Sequence, residues 1–326
     1  TVPARVNILD MERRKTILAL APLAGYSDRA FRETAHKCGA DLAVTEMVSA
    51  EGLARDSEKT EDLLVRYEGE QELIMQIFAP DADPVRRCLS RLLTYNPSGI
   101  DINCGCPVPK VVKNGAGSAL MKTPEKMYEM VSFLKAETDI PVSVKFRLGW
   151  DASSINYLEF ADAAVSAGAS MVTLHARTRS QGYTGKADHT MTKRLTEHLK
   201  GKGVTVFGSG DVFTPEDALM LVNECGTDGV MFARGAIGNP FIFSQTKALL
   251  ETGSYESVSL DERISTLLFH LDLMIRYFGE GLACREMRKH ATAYLKGVRN
   301  GNRVKEKIVS ALTRDEYLRA LEALYQ

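Results

Sequence analysis

The ten residues from Asp101 to Lys110, DINCGCPVPK, hold two cysteines, an asparagine, a glycine and two prolines. They directly follow the apolar approach Ser98-Gly99-Ile100. Metal ligation, redox pairing, acid–base catalysis and plain packing are all chemistries open to these residues. A zinc site needs four nitrogen or sulfur donors, and no second Cys or His pair stands at matching spacing, so no metal is expected. A C-x-C disulfide would be strained, and a reducing compartment would not keep it. Packing suits a Cys well, and it is the reading that fits Cys104. Cys106 differs: it lies one step past a strand end, ahead of Pro107, with Gly105 clearing space beside it.

Residues of this kind must be placed by the elements around them. Short β-rich apolar segments run over 16–20, 42–45, 73–78, 99–103, 141–146, 171–175, 204–208 and 229–233. Helical patterns lie between most of them, at 27–39, 83–95, 123–138, 154–169 and 214–226. Several begin with a capping Ser, Thr or Asp, Pro follows Thr at 124 and 215, and three end at Gly39, Gly168 and Gly226. Strands alternating with helices predict parallel βα units, and eight of them predict a closed (β/α)8 TIM barrel. A doubly wound open sheet would need a glycine-rich turn after the first strand, and APLAGYSD is not one.

In a barrel, reactive groups sit where the strands finish. The small residues of APLAG let a flat ligand approach the backbone. Gln76 sets a polar amide in an apolar strand, and Lys145 and Arg147 share a face at a period of two. His175-Ala176-Arg177 ends the sixth strand. The seventh and eighth run into Gly208-Ser209-Gly210-Asp211 and Ala233-Arg234-Gly235-Ala236. Paired glycine-rich turns there expose N–H groups and form a phosphate cradle for a phosphorylated cofactor or substrate.

After Pro240 the strand pattern stops, and 259–279, 283–297, 302–312 and 313–325 carry helical periodicity. The expected division is a barrel domain over 1–245 and an all-helical bundle over 246–326. Within the second, the stretch 284–307 sets Arg285, Arg288, Lys289, Lys296, Arg299, Arg303, Lys305 and Lys307 against only Glu286 and Glu306. Either a solvated helical face or a surface for a phosphate backbone would look like this.

The bulk properties exclude some classes. With 326 residues, 44% of them hydrophobic, the chain can bury a large core. Its net charge of −1 gives no global pull toward nucleic acid or membrane. No apolar run approaches the length of a membrane span, and the first fifteen residues carry no signal-type apolar run. Six cysteines in a chain of this length fit the cytoplasm, and a monomer is expected.

Taken in order, APLAGYSDRAFR, DINCGCPVPKVVKNGAGSALM, VKFRLGW, LHARTRSQGYTGKADH, GSGDV, ARGAIGNPFIF and REMRKHATAYLKG resemble the tRNA-dihydrouridine synthases over nearly the whole chain. The resemblance implies a barrel that binds FMN noncovalently and a C-terminal bundle that helps to hold tRNA. It also implies NADPH-dependent reduction of particular uridines. Reducing the uracil C5=C6 bond needs a hydride at C6 and a proton at C5. A thiol near its ordinary pKa of about 8.5 is protonated at neutral pH, so Cys106 would act as an acid.

The resemblance further implies that Asn103, Arg147 and Tyr183 meet the base. Pro22, Leu23, Ala24 and Gln76 would line the flavin ring, and Lys145 would sit by its electron-rich side. His175, Ser209, Gly210, Asp211, Ala233 and Arg234 would hold ring or phosphate. Ser209 and Ala233 depart from the family's commoner Asn and Gly, which touches only details of the phosphate shell. Arg285, Arg288, Lys289, Lys296, Arg299, Arg303 and Lys305 would meet the tRNA backbone. Two other functions fit parts of the sequence: an FMN barrel reductase of a free small molecule, and a non-catalytic RNA-binding barrel.

Overall fold

The computed structural model describes residues 16–325, so the reading of the first fifteen residues lies outside it. Nine strands form one parallel sheet: β1 (Ile17–Leu20), β2 (Leu42–Val44), β3 (Val48–Ser49), β4 (Leu73–Phe78), β5 (Gly99–Cys104), β6 (Val142–Arg147), β7 (Met171–His175), β8 (Thr205–Ser209) and β9 (Gly229–Phe232). β1 pairs with both β2 and β9, and β2 pairs with β4, so the sheet closes. β3 was not expected. It pairs with the far end of β4, so it continues the second stave beyond a break at Thr45–Met47. The barrel is therefore eight-staved, as the alternation of segments predicts, with one stave in two pieces. At the break, Thr45 Oγ1 accepts from the Gln76 N–H, and Glu46 swings to the rim, where its carboxylate accepts from the Gly25 N–H at 2.5 Å.

Strand parity sorts the side chains. Leu20, Ile77, Ile100, Ile102, Val144, Phe146, Leu174 and Phe232 join the large core between sheet and helices. The alternate positions face the lumen. Its lower layer is apolar, with Ala19, Leu42, Ile74, Met171, Phe207 and Met231. Two residues past Ile74, Met171 and Phe207 come the polar positions Gln76, Thr173 and Ser209, and β5 and β6 add Asp101, Ser143 and Lys145 on the same inward parity. A period of two thus lifts polar groups out of an apolar floor toward the mouth.

The five expected helices are present, and Gly39, Gly168 and Gly226 stand at positive φ just past three of them. His189–Leu199 was missed. Its apolar contacts, Met191, Leu195 and Leu199, recur only every fourth residue among charges. Asp188, whose carboxylate accepts from the Thr190 N–H, was its one clear signal.

Beyond β9, Ile242–Thr252 packs on the barrel helix Pro215–Asn223, so a division at residue 245 falls inside the last barrel helix. Leu260–Phe278, Glu280–Tyr294, Gly301–Ile308 and Arg314–Leu321 follow. Ser259 caps the first of these, and a Thr313/Glu316 capping box opens the last. Leu267, Leu271, Met287, Ala291, Val304 and Tyr317 form their core. The array seats on the barrel helix Arg29–Lys37 through Phe31, and Arg29 Nη2 donates to the Tyr277 carbonyl at 3.0 Å. Gly238, at φ +69°, lets the loop after β9 touch the helix Glu280–Tyr294: a Cβ there would lie 2.3 Å from the Ala293 carbonyl carbon.

Candidate active site

The C-terminal ends of the strands surround a cavity. Pro22, Leu23, Lys145, His175, Tyr183, Ser209, Gly210, Asp211, Ala233 and Arg234 all line it, with Ala21 and Phe213. Ala24 lies exposed in the turn after β1, and Gln76 is fully buried beneath the mouth. A wider hollow opens at the opposite end, past Ser170, Thr205 and Asp228. There the Thr205 N–H donates to the Ser170 carbonyl, and Asp228 accepts from the Val206 N–H. These bonds tie strand starts together, as befits the stability end of a barrel.

The mouth is electropositive. Lys145 rises from the lumen with no hydrogen bond or ion pair to the described residues. Burial lowers its pKa to about 8, Arg147 adds to that effect and Asp101 opposes it. His175 is held neutral: burial pushes its pKa well below the ordinary value, and Arg147, Lys145, Arg177 and Arg234 add to the effect. Its Nε2 is buried without a partner. Gly210 passes so close to that ring that a Cβ would lie 2.7 Å from Cδ2.

The Asp211 carboxylate is engaged within the protein. It pairs with the buried Arg177 at 2.6 Å and with Arg234 at 3.0 Å, and it accepts from the Ala187 N–H. Asp211 stands at φ +52°, a left-handed conformation that a short polar side chain tolerates. It organises the two turns, so any ligand contact of its own falls to its backbone. Ser209 Oγ likewise donates to the Met231 carbonyl. Arg234 lies over the Tyr183 ring at 4.7 Å and over Phe213 at 5.2 Å. Phe213 has no signal in the sequence beyond its place after GSGDV.

Cys104 is fully buried in the outer core, its thiol pushed well above the ordinary value by burial. The end of the strand explains the difference from Cys106: Cys104 is its last residue and faces the helices, while Cys106 lies beyond it in the turn and is half-buried. Burial raises the Cys106 pKa, against smaller opposing effects from the Val108 backbone, Arg147 and Lys145. Its thiol is therefore protonated at neutral pH. The six cysteines are free, and among the described residues no cluster suited to a metal occurs.

Asn103 holds the turn that carries this thiol. Its Oδ1 accepts from the Gly105 and Cys106 N–H groups at 3.2 and 2.9 Å, and its Nδ2 donates to Gln76 Oε1 at 2.8 Å. One N–H remains, spent on the Met47 sulfur at 3.9 Å, a weak acceptor that a substrate oxygen can displace. Arg147 donates to the Gly105, Thr178 and Gly182 carbonyls, so it braces the cysteine turn against the loop that presents Tyr183. Tyr183 itself is 58% exposed.

The family model described as Dihydrouridine synthase (Dus) matches residues 19–326. The chain belongs to the dihydrouridine synthase family. It is 42% identical to the probable tRNA-dihydrouridine synthase of Treponema pallidum, covering 86% of this chain and 84% of that one. It is 32% identical to tRNA-dihydrouridine synthase B of Pasteurella multocida, over 95% and 93% of the two chains. The probable tRNA-dihydrouridine synthase of Aquifex aeolicus is 34% identical over 96% of this chain and 97% of its own.

The basic positions of the helical array fall into two groups. Arg285, Lys296, Arg299 and Arg303 are exposed, and Lys305 is half-buried. Arg288 instead turns inward, and its Nη2 donates to the Ala311 carbonyl at 3.1 Å. Lys289 pairs with Glu286 at 2.5 Å and reaches over the Tyr26 ring beside the first barrel loop. Sequence spacing cannot tell such inward-turned cations from solvated ones.

Proposed function

We propose that this chain reduces the C5=C6 bond of particular uridines in tRNA to dihydrouridine, using NADPH through bound FMN. The observation that carries the reading is a thiol kept protonated at the rim of a cationic cavity, in a chain of the dihydrouridine synthase family. The residues present fit FMN. Lys145 and His175 Nε2 are left without protein partners where a flavin ring needs donors, and Lys145, Arg177 and Arg234 surround the turns offered to its phosphate. Pro22, Leu23 and Ala24 give the flat wall.

When bound, FMN supplies the hydride for C6 of the base. The chain's own residues do the rest. Cys106 donates its proton to C5 from the opposite face of the ring. Asn103 offers its displaceable N–H to a carbonyl oxygen of the uracil, and Arg147 keeps the cysteine turn and the Tyr183 loop in register. Tyr183, flanked by Arg147 and Arg234, packs on the extruded base. The Lys145 ammonium stabilises negative charge on the reduced cofactor. The helical array, as a tRNA-holding domain, offsets the cost of extruding the base.

A barrel reductase of a free pyrimidine would have no use for the exposed cations of the array. Mapping dihydrouridine in tRNA from a strain lacking this gene tests the reading. Loss at defined positions is expected, and an unchanged tRNA profile would overturn it. The purified protein should be yellow and release FMN on denaturation, and release of FAD or of no flavin would contradict the cofactor assignment.

A further inference from the structure

Beneath the mouth, four buried side chains form one continuous hydrogen-bonded chain. Ser143 Oγ donates to Asp101 Oδ1 at 2.5 Å, and Gln76 Nε2 donates to Asp101 Oδ2 at 2.7 Å. Asn103 Nδ2 donates to Gln76 Oε1, and Asn103 Oδ1 receives the Gly105 and Cys106 N–H groups. All four side chains are less than 8% exposed.

The direction of this chain is forced. Backbone N–H groups can only donate, so Asn103 must turn its oxygen to them and its nitrogen to Gln76. Gln76 must then offer oxygen to Asn103 and nitrogen to whatever stands at 101. Such a chain can end only on an acceptor, and Asp101 is that acceptor. The β5 register places Asp101 opposite both Gln76 and Ser143, and Asn103 opposite Lys145, so the chain follows from strand pairing.

We propose that Asp101 is a positioning residue for Cys106: by ending the hydrogen-bonded chain through Gln76 and Asn103, it fixes the orientation of two buried amides and holds the turn that aims the thiol over the mouth. This rests on the reading of Cys106 as the proton donor. An acceptor missing at 101 would strand the Gln76 N–H groups in a dry site and let the amide turn over. Nitrogen would then face nitrogen at Asn103, and the turn would lose its brace.

Two variants separate hydrogen bonding from charge. In Asp101→Asn, the new Oδ1 still accepts from Gln76 while Nδ2 donates to Ser143 Oγ, so the direction survives without the negative charge. In Asp101→Ala neither remains. Three readouts apply to the holoenzyme: the rate at which iodoacetamide alkylates Cys106, followed by mass spectrometry; NADPH-driven reduction of the bound flavin; and kcat and KM for dihydrouridine formation in tRNA.

Asp101→Ala should speed alkylation of Cys106 several-fold and lower kcat by about 10²-fold, the order expected of a misplaced catalytic group, with little change in KM. Flavin reduction should stay close to wild type, and Asp101→Asn should restore both the alkylation rate and kcat. If Asp101→Ala does not fold, Gln76→Met cuts the same chain one link later at similar volume and should speed alkylation in the same way. The proposal is overturned if the Ala variant alkylates like wild type, or if Asn is as damaged as Ala, which would make the negative charge acting on Lys145 the residue's contribution. If wild type itself makes no dihydrouridine, the functional reading falls, and the alkylation arm still judges Asp101.

Discussion

Two buried polar clusters in this molecule are built in opposite ways. Beneath the barrel mouth, Asp101, Gln76, Asn103 and Ser143 bond one another in a single direction. Where the helical array meets the barrel, His270 and His290 are fully buried, 4.5 Å apart between ring centroids, against Phe31 and Tyr294. No nitrogen of either ring, nor the Tyr294 hydroxyl, has a hydrogen-bond partner. Burial pushes the His270 pKa down to about 3 and that of His290 well below its ordinary value. The first cluster keeps polarity where chemistry needs orientation. In the second, imidazoles serve as flat packing surface and pay in desolvation alone. Polar residues are therefore no guide to function until their partners are known.

The largest effect should come from the mouth. Cys106→Ala should lower dihydrouridine formation by about 10²–10⁴-fold while NADPH still reduces the bound flavin. Cys104→Ala, in the outer core, should affect stability and leave the chemistry near wild type. Equal loss of turnover in both would point to a paired-thiol function. Because burial raises the Cys106 pKa and lowers that of Lys145 to about 8, the thiol should still be protonated where turnover begins to fall, above about pH 8, as the Lys145 ammonium is lost.

Next comes the exposed face of the array. Reversing Arg299, Arg303 and Lys305 to Glu should raise the apparent KM for tRNA and flatten its dependence on salt, since backbone contacts release counterions. Flavin reduction without tRNA should not change. Wild-type tRNA binding across a salt series would make these cations a solvated face. Arg288 is left out of the set because its bond to Ala311 braces the array itself.

The smallest effect belongs to the histidine interface. A histidine whose folded pKa is depressed binds a proton more readily when unfolded, so stability falls as pH drops below about 6.5. For a group as buried as His270 the loss by pH 5 should be about 2 kcal/mol. His270→Phe, which retains the stack on Phe31, should leave the melting temperature at pH 7 equal or higher and reduce the drop at pH 5. Identical pH profiles for variant and wild type would show that the ring is not a neutral, unpartnered base.

The contrast also marks how far the sequence could be read. The alternation of segments predicts the barrel, and strand ends bring Lys145, His175 and the two glycine turns to one cavity. Cys106 could be separated from Cys104 because it lies past the strand end, between Gly105 and Pro107, where the chain leaves the sheet. What stayed hidden depends on partners distant in sequence. Asp101 looks like any strand residue until Gln76 and Ser143 are beside it. Asp211 has the residue type of a ligand-binding group, yet Arg177 and Arg234 occupy its carboxylate. Arg288 has the charge of a surface contact but turns inward. The break in the second stave, which brings Glu46 to the rim, leaves no composition signal at all.

The central claim is that the mouth takes a single base and needs the rest of the tRNA to deliver it. The most direct test is to reduce the bound flavin with NADPH under anaerobic conditions, remove excess reductant, and mix with unmodified tRNA or with free uridine. The account predicts that tRNA reoxidises the flavin with one dihydrouridine formed per flavin, while free uridine at the same concentration reacts far more slowly. Equal reoxidation by free uridine, or reoxidation by tRNA without dihydrouridine, would contradict it.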